Sequence, residues 1–223
     1  MRVVIALMPG FTALDAVGPY EVLRMLPDAD VVFAAAEPGP VTDGAGLLAL
    51  TAAAGFGDIE SADVLLVPGG PGARTSVADE SLLAWIRAVH GTTTWTTSVC
   101  TGSLLLGAAG LLRGLTATTH WSAVDLLEAY GATYTAQRVV PQGKIVTSAG
   151  VSSGIDMALT LAGMIEGGTV AAAIQLAIEY DPQPPFDSGS LAKAPREAKD
   201  YLVGRDSTRY ARAATAEVGS NAG

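Results

Sequence analysis

The chain contains a single cysteine and two histidines, and the cysteine is the residue best placed to do covalent chemistry. Cys100 lies in TTSVCTGSLLLGAAGLL, directly after a strand-like run and directly before an apolar, helix-like one. A side chain on such a strand-to-helix corner projects from the carboxyl end of a sheet, where open α/β folds bind ligands. The following helix start aims N–H groups and a positive dipole end at the sulfur, which predicts a thiolate, the reactive form. A lone cysteine is also often a small buried hydrophobe, but the strand–Cys–helix context favours a nucleophile.

Three further segments supply candidate partners. LDAVGPYEVL, Leu14 to Leu23, places Asp15 just before a helix start at Gly18-Pro19. Beside a sulfur its carboxyl pKa is raised by desolvation and by thiolate charge, so it exchanges a proton near neutrality; the alternative is a helix N-cap. VPGGPG, Val67 to Gly72, offers the bare N–H groups of Gly69 and Gly70 as an oxyanion hole, or else is only a tight turn. It is no phosphate loop, since no Lys-Ser/Thr follows and GxGxxG is absent. His120, in TTHWS, faces a pocket or orients a loop, two roles that residue type alone leaves open. His90 ends a helix before Gly91, where a cation suits the dipole, and is assigned no chemistry. Asp156 completes a Ser153-x-x-Asp156 capping box and reads as structural, while Trp95 and Trp121 line core or pocket walls. No Cys/His cluster has metal spacing, so no metal site is expected.

The elements that must position these residues follow from the pattern of apolar runs. Val3 to Leu7, Val31 to Ala35, Val64 to Val67 and Trp95 to Val99 are short continuous apolar stretches bounded by turn residues, as expected of parallel strands buried on both faces. Between them, Pro19 opens a helix carrying Val22, Leu23 and Leu26, and Leu82, Leu83, Ile86 and Val89 mark another that stops at Gly91. Trp121 to Tyr130 predicts a helix, and Val139-Val140 with Ile145 to Thr147 a hairpin across Gln142-Gly143-Lys144. Ser153 to Glu166 is apolar all round and predicts a buried helix stopped by Gly167-Gly168. YDPQPP, Tyr180 to Pro185, breaks regular structure, and the polar end of the chain is helical and then frayed. This alternation implies an α/β fold with right-handed crossovers and a mostly parallel sheet.

Composition excludes several function classes. With 223 residues, 49% hydrophobic and 16% charged, the chain suits one large domain rather than disorder. Its 13 Lys and Arg against 22 Asp and Glu leave a net charge of −9, which excludes a nucleic-acid surface. The N-terminal MRVVIALMPG is too short for a signal peptide, no stretch spans a bilayer, and one cysteine cannot form an intramolecular disulfide; a cytoplasmic protein is expected.

Taken together, LDAVGPYEVL, VPGGPG, TSVCTGSLLLGAAGLL, ATTHW, GIDMALTLA and YDPQPPFDSGSLAKAP resemble the ThiJ/PfpI superfamily, and within it the isocyanide-hydrating branch. The resemblance runs along about the first 195 residues, leaving 196–223 as a polar extension. It implies a flavodoxin-like three-layer sandwich with a cysteine nucleophile elbow, usually homodimeric, without cofactor. It also implies that Cys100, Asp15 and Thr101 hydrate an isocyanide to an N-substituted formamide through a thioimidate on Cys100. Protease-like members place His after the cysteine, where this chain has Thr101, and many relatives carry Glu where it has Asp15. Two other readings are a small-molecule sensor and a cysteine-based redox or stress protein. AraC-type regulators carry similar domains, but the roughly thirty residues after Pro195 are too few for a helix-turn-helix region.

Overall fold

A computed structural model describes residues 1–202. In chain order its strands are β1 (Arg2–Ala6), β2 (Asp30–Ala35), β3 (Gly39–Thr42), β4 (Ala49–Ala52), β5 (Ala54–Gly55), β6 (Val64–Val67), β7 (Trp95–Val99), β8 (Thr116–Ala117), β9 (Thr133–Tyr134), β10 (Val139–Gln142) and β11 (Ile145–Ser148). The helices are α1 (Ala13–Leu23), α2 (Pro71–Ser76), α3 (Glu80–Thr92), α4 (Gly102–Ala108), α5 (Val124–Ala129), α6 (Ser153–Glu166) and α7 (Gly168–Ala177).

Seven strands form the main sheet in the order β10-β11-β7-β6-β1-β2-β5, parallel throughout except for the expected β10–β11 hairpin. Successive side chains of a strand face opposite ways, so each apolar run feeds two cores. Val3, Ile5, Val64 and Leu66 pack with Ala16, Val22 and Leu23 of α1 and with Met157, Leu161 and Ala162 of α6. Val4, Leu65 and Val67 pack on the other face with Leu82, Leu83 and Ile86 of α3 and Leu104 to Leu106 of α4. The result is the expected α/β sandwich, a mostly parallel sheet between two helical layers. Each fully buried Leu or Ile stabilises it by about 1.5–3 kcal/mol, which gives the ends of β1, β6 and β7 a rigid base.

Several local expectations need correcting. Pro19 does not open a helix: it lies inside α1, which starts six residues earlier at Ala13. The N–H that proline lacks would have reached the carbonyl of Asp15, so one helical bond is given up within an otherwise buried helix. The Ser153-x-x-Asp156 capping box does not form; the cap position is Ser152, Ser153 Oγ has no partner, and Asp156 pairs with Arg138. His90 is not the cation at the end of α3. Burial and the neighbouring Lys144 push its pKa down, and Lys144 Nζ bonds the carbonyls of His90 and Thr93 instead. The short hairpin β3–β4 and the helices α2 and α7 have no counterpart in the apolar pattern as read.

The segments described so far fall in one compact unit, Met1–Tyr180. A second begins at Asp181; there, Lys193 Nζ pairs with Asp187 at 2.6 Å and residues 196–202 are helical. The expected frayed end, 203–223, lies outside the described residues. Among the described residues no helix is long and apolar enough to cross a membrane, and no group of three His, Cys, Asp or Glu is placed to hold a metal ion.

Candidate active site

Cys100 follows β7 immediately and precedes α4, and its backbone is left-handed at φ 58°. Few non-glycine residues adopt that angle, and those that do concentrate at functional corners. Four contacts hold it there. Its N–H reaches the carbonyls of Ser148 (3.1 Å) and Ala149 (2.9 Å), while its own carbonyl accepts from Ser103 Oγ and Thr119 Oγ1, both at 3.1 Å. The sulfur is therefore a fixed point rather than the tip of a mobile loop.

Asp15 sits in the first turn of α1, yet its carboxyl does not cap that helix. Oδ2 accepts the Gly69 N–H at 3.0 Å, Oδ1 has no N–H or O–H donor, and the carboxyl's other partner is the Cys100 thiol. The β6–α2 loop locks this arrangement from both sides, because Thr12 N–H donates back to the Gly69 carbonyl at 2.8 Å. Of the two roles open for Asp15, contact with the sulfur is the one realised.

The glycines of VPGGPG do something other than line an open oxyanion hole. The Gly69 N–H is bound to Asp15, and the Gly70 N–H is bound to Thr101 Oγ1 at 2.8 Å, with Thr101 Oγ1 donating to the Gly70 carbonyl at 3.1 Å. Both donors are thus engaged in orienting the carboxyl and the residue after the cysteine. The approach is close: a Cβ on Gly69 would lie 2.5 Å from Thr101 N. No side chain fits there.

His120 caps the turn Trp121–Ala123. Its Nδ1 accepts the Ser122 N–H at 3.3 Å and lies 2.8 Å from Ser122 Oγ, which itself accepts from Arg74 Nη2 at 2.8 Å. The ring edge packs on Gly150, where a Cβ would meet His120 Cδ2 at 2.6 Å. His120 therefore orients one loop and flanks the turn that touches the cysteine.

Burial dominates the electrostatics. Asp15 is fully buried, and loss of solvent raises its pKa from 3.8 to about 7 against the opposing pull of the Gly69 N–H and the Cys100 thiol. Cys100 is 5% exposed; burial first, and the Asp15 charge second, push its thiol up to about 12, against the N–H groups of Val151 and Thr101. Both raising effects oppose the expected thiolate, and the N–H groups of Val151 and Thr101 favour it. The carboxyl, its pKa raised by burial to about 7, lies against the thiol and is placed to exchange a proton with it.

Val151 was not visible as a site residue. It acts through its backbone N–H, and no side-chain pattern marks such a role.

The DJ-1/PfpI family model matches residues 1–164. Isonitrile hydratase of Pseudomonas putida is 46% identical over 194 residues, 87% of this chain and 85% of that protein. The HTH-type transcriptional regulator CdhR of Pseudomonas aeruginosa is 30% identical over 92% of this chain and 59% of that protein. The crystal structure of a ThiJ/PfpI family protein from Pseudomonas syringae superposes with a TM-score of 0.89 at 38% identity, covering 93% of this chain and 86% of that one. The chain belongs to the DJ-1/PfpI family.

Proposed function

We propose that this chain is an isonitrile hydratase, adding water to an isocyanide to give an N-substituted formamide, with Cys100 as nucleophile and Asp15 as proton carrier. The observation that carries the mechanism is the carboxyl buried against the thiol, with a pKa of about 7 and one oxygen without an N–H or O–H donor. Such a group both accepts and returns a proton at neutral pH. The relative at 46% identity points to the substrate class.

The chemistry balances without a cofactor. Asp15 takes the Sγ–H proton and delivers it to the terminal isocyanide carbon as sulfur bonds to that carbon, giving the thioimidate R–N=CH–S–Cys100. Asp15, ionised again, draws a proton from water as the oxygen adds to the same carbon, and that proton passes to nitrogen. Collapse of R–NH–CH(OH)–S–Cys100 breaks the C–S bond, releases R–NH–CHO, and returns the hydroxyl proton to sulfur. An isocyanide suits a cysteine that is only 5% exposed, because its reacting carbon is terminal and slender. In this reading Gly69 and Gly70 set the carboxyl and Thr101, and His120 flanks the approach. The reading includes a homodimer in the cytoplasm, with residues 1–195 as its catalytic domain.

The test is formamide production by the purified chain from simple alkyl and aryl isocyanides, beside Cys100→Ala and Asp15→Asn. A chain inert towards all of them ends the proposal. The identity to CdhR favours a second reading, a small-molecule sensor; saturable binding of an isocyanide without turnover would select it. A redox role would use the same sulfur, and an oxidant-stress phenotype of Cys100→Ser with no isocyanide present would select it.

A further inference from the structure

Two non-glycine residues with left-handed backbones stand against each other at the corner, Cys100 at φ 58° and Val151 at φ 36°. Val151 lies in the 149–152 turn between β11 and α6. A β-branched residue at such an angle is strained and stays there only where its surroundings hold it. On its inner side this turn contacts the cysteine: the carbonyl of Ala149 accepts the Cys100 N–H at 2.9 Å, and the Val151 N–H is a hydrogen bond to the sulfur.

Its outer side is gripped by one residue. The carbonyl of Arg138 accepts the Ala149 N–H at 3.0 Å, and its Nη2 donates to Ser152 Oγ at 3.1 Å. Its Nε donates to Asp156 Oδ2 at 2.5 Å in the first turn of α6, and the Asp156 carboxylate is held in turn by Tyr180 OH at 3.2 Å. Arg138 thus fastens the first and last residues of the turn and the helix that follows. As an ion pair it is about half exposed, at 47% against 32% for Asp156, and such pairs contribute little stability. A planar guanidinium with fixed donor directions is instead suited to holding geometry.

We infer that Arg138 is a positioning residue for the cysteine: by clamping the 149–152 turn it keeps the Val151 N–H directed at the Cys100 sulfur. The inference rests on the reading of Cys100 as a nucleophile, but not on the identity of its substrate. Asp15 from α1 and His120 beside Gly150 also face this corner, and neither contacts Arg138 through the bonds described.

Cys100 is the chain's one cysteine, so its alkylation reports on it alone. The full chain is compared as wild type, Arg138→Ala, Arg138→Lys, Val151→Gly and the Arg138→Ala/Val151→Gly double variant. Iodoacetamide rates are followed from about pH 6 to 9.5, with Tm in parallel. Arg138→Ala is expected to react about fivefold more slowly at a given pH, the effect of one lost hydrogen bond to the sulfur, with its profile displaced to higher pH. Arg138→Lys recovers part of the rate, because one ammonium cannot span Ser152 and Asp156. Val151→Gly recovers more in the Arg138→Ala background, because glycine takes φ 36° without being held. If Arg138→Ala does not fold, Arg138→Lys with and without Val151→Gly makes the same comparison. An Arg138→Ala profile superimposed on wild type, or a double variant no faster than Arg138→Ala, overturns the inference. A chain inert to isocyanides that still shows this alkylation pattern rejects the hydratase reading and keeps the role of Arg138.

Discussion

Strand β7 has Thr96 near its start and Cys100 just past its end, and its two ends treat buried polar atoms in opposite ways. At the start, Thr96 Oγ1 lies 2.8 Å from both His90 Nδ1 and Thr93 Oγ1, and Thr93 Oγ1 donates to the His90 carbonyl at 3.0 Å. That order leaves Thr93 accepting from Thr96, and Thr96 accepting from His90 Nδ1–H, so each proton has one destination. Lys144 completes the set at the carbonyls. At the other end Cys100 and Val151 are left-handed, Asp15 Oδ1 has no N–H or O–H donor, Ser153 Oγ has no partner, and burial raises the carboxyl pKa to about 7. A satisfied network stabilises; an unsatisfied, strained one retains free energy and proton affinity for chemistry.

Substitutions at each end test whether that division holds. Cys100→Ala should lower kcat/KM for isocyanide hydration by about 10⁴-fold or more while Tm stays near wild type. Asp15→Asn should cost about 10²–10⁴-fold in the same assay, since the amide can still accept from Gly69 but neither takes up nor releases a proton near neutrality. This variant should also change the pH dependence of stability. The Asp15 pKa is higher folded, about 7, than the ordinary 3.8, so the folded state binds the extra proton and stability falls as pH rises between those values. The full difference is about 4 kcal/mol, and Tm measured against pH should lose this downward slope in Asp15→Asn. Equal slopes in both proteins would remove the carboxyl from the buried site.

Gly69→Ala sharpens the comparison by geometry alone. Its methyl would displace Thr101 and with it the sulfur, with an expected loss of about 10²-fold in kcat/KM. The smallest effect belongs to the other end. Thr96→Val orphans His90 Nδ1 and removes the donor to Thr93 Oγ1, and should cost about 1–3 kcal/mol of stability in a denaturant titration, with kcat/KM unchanged. A loss of activity without a loss of stability there would abolish the distinction between the two ends.

Much of this was legible in the chain before folding. Strand β6 is all apolar because both its faces are covered, and Val64–Val67 is where the reading placed it. Cys100 was recognisable from its neighbours, because a strand run ending at one residue and a helix run starting two later leave few conformations between them. Pro19 misled because propensity speaks for a first turn, whereas packing of α1 against α6 tolerates proline inside. Ser153 and Asp156 misled because a cap motif describes local bonds only, and Arg138 competes for Asp156 from 18 residues away.

By itself the sequence determined the alternation of elements, the cysteine corner and the presence of a carboxyl at the same edge of the sheet, since those depend on local apolar pattern and turn chemistry. Only the tertiary structure decided which protons are held where. Desolvation, the Gly69 N–H 54 residues from Asp15 and the Val151 N–H against the sulfur are properties of enclosure: the first raises the proton affinity of carboxyl and thiol, and the two N–H groups oppose it.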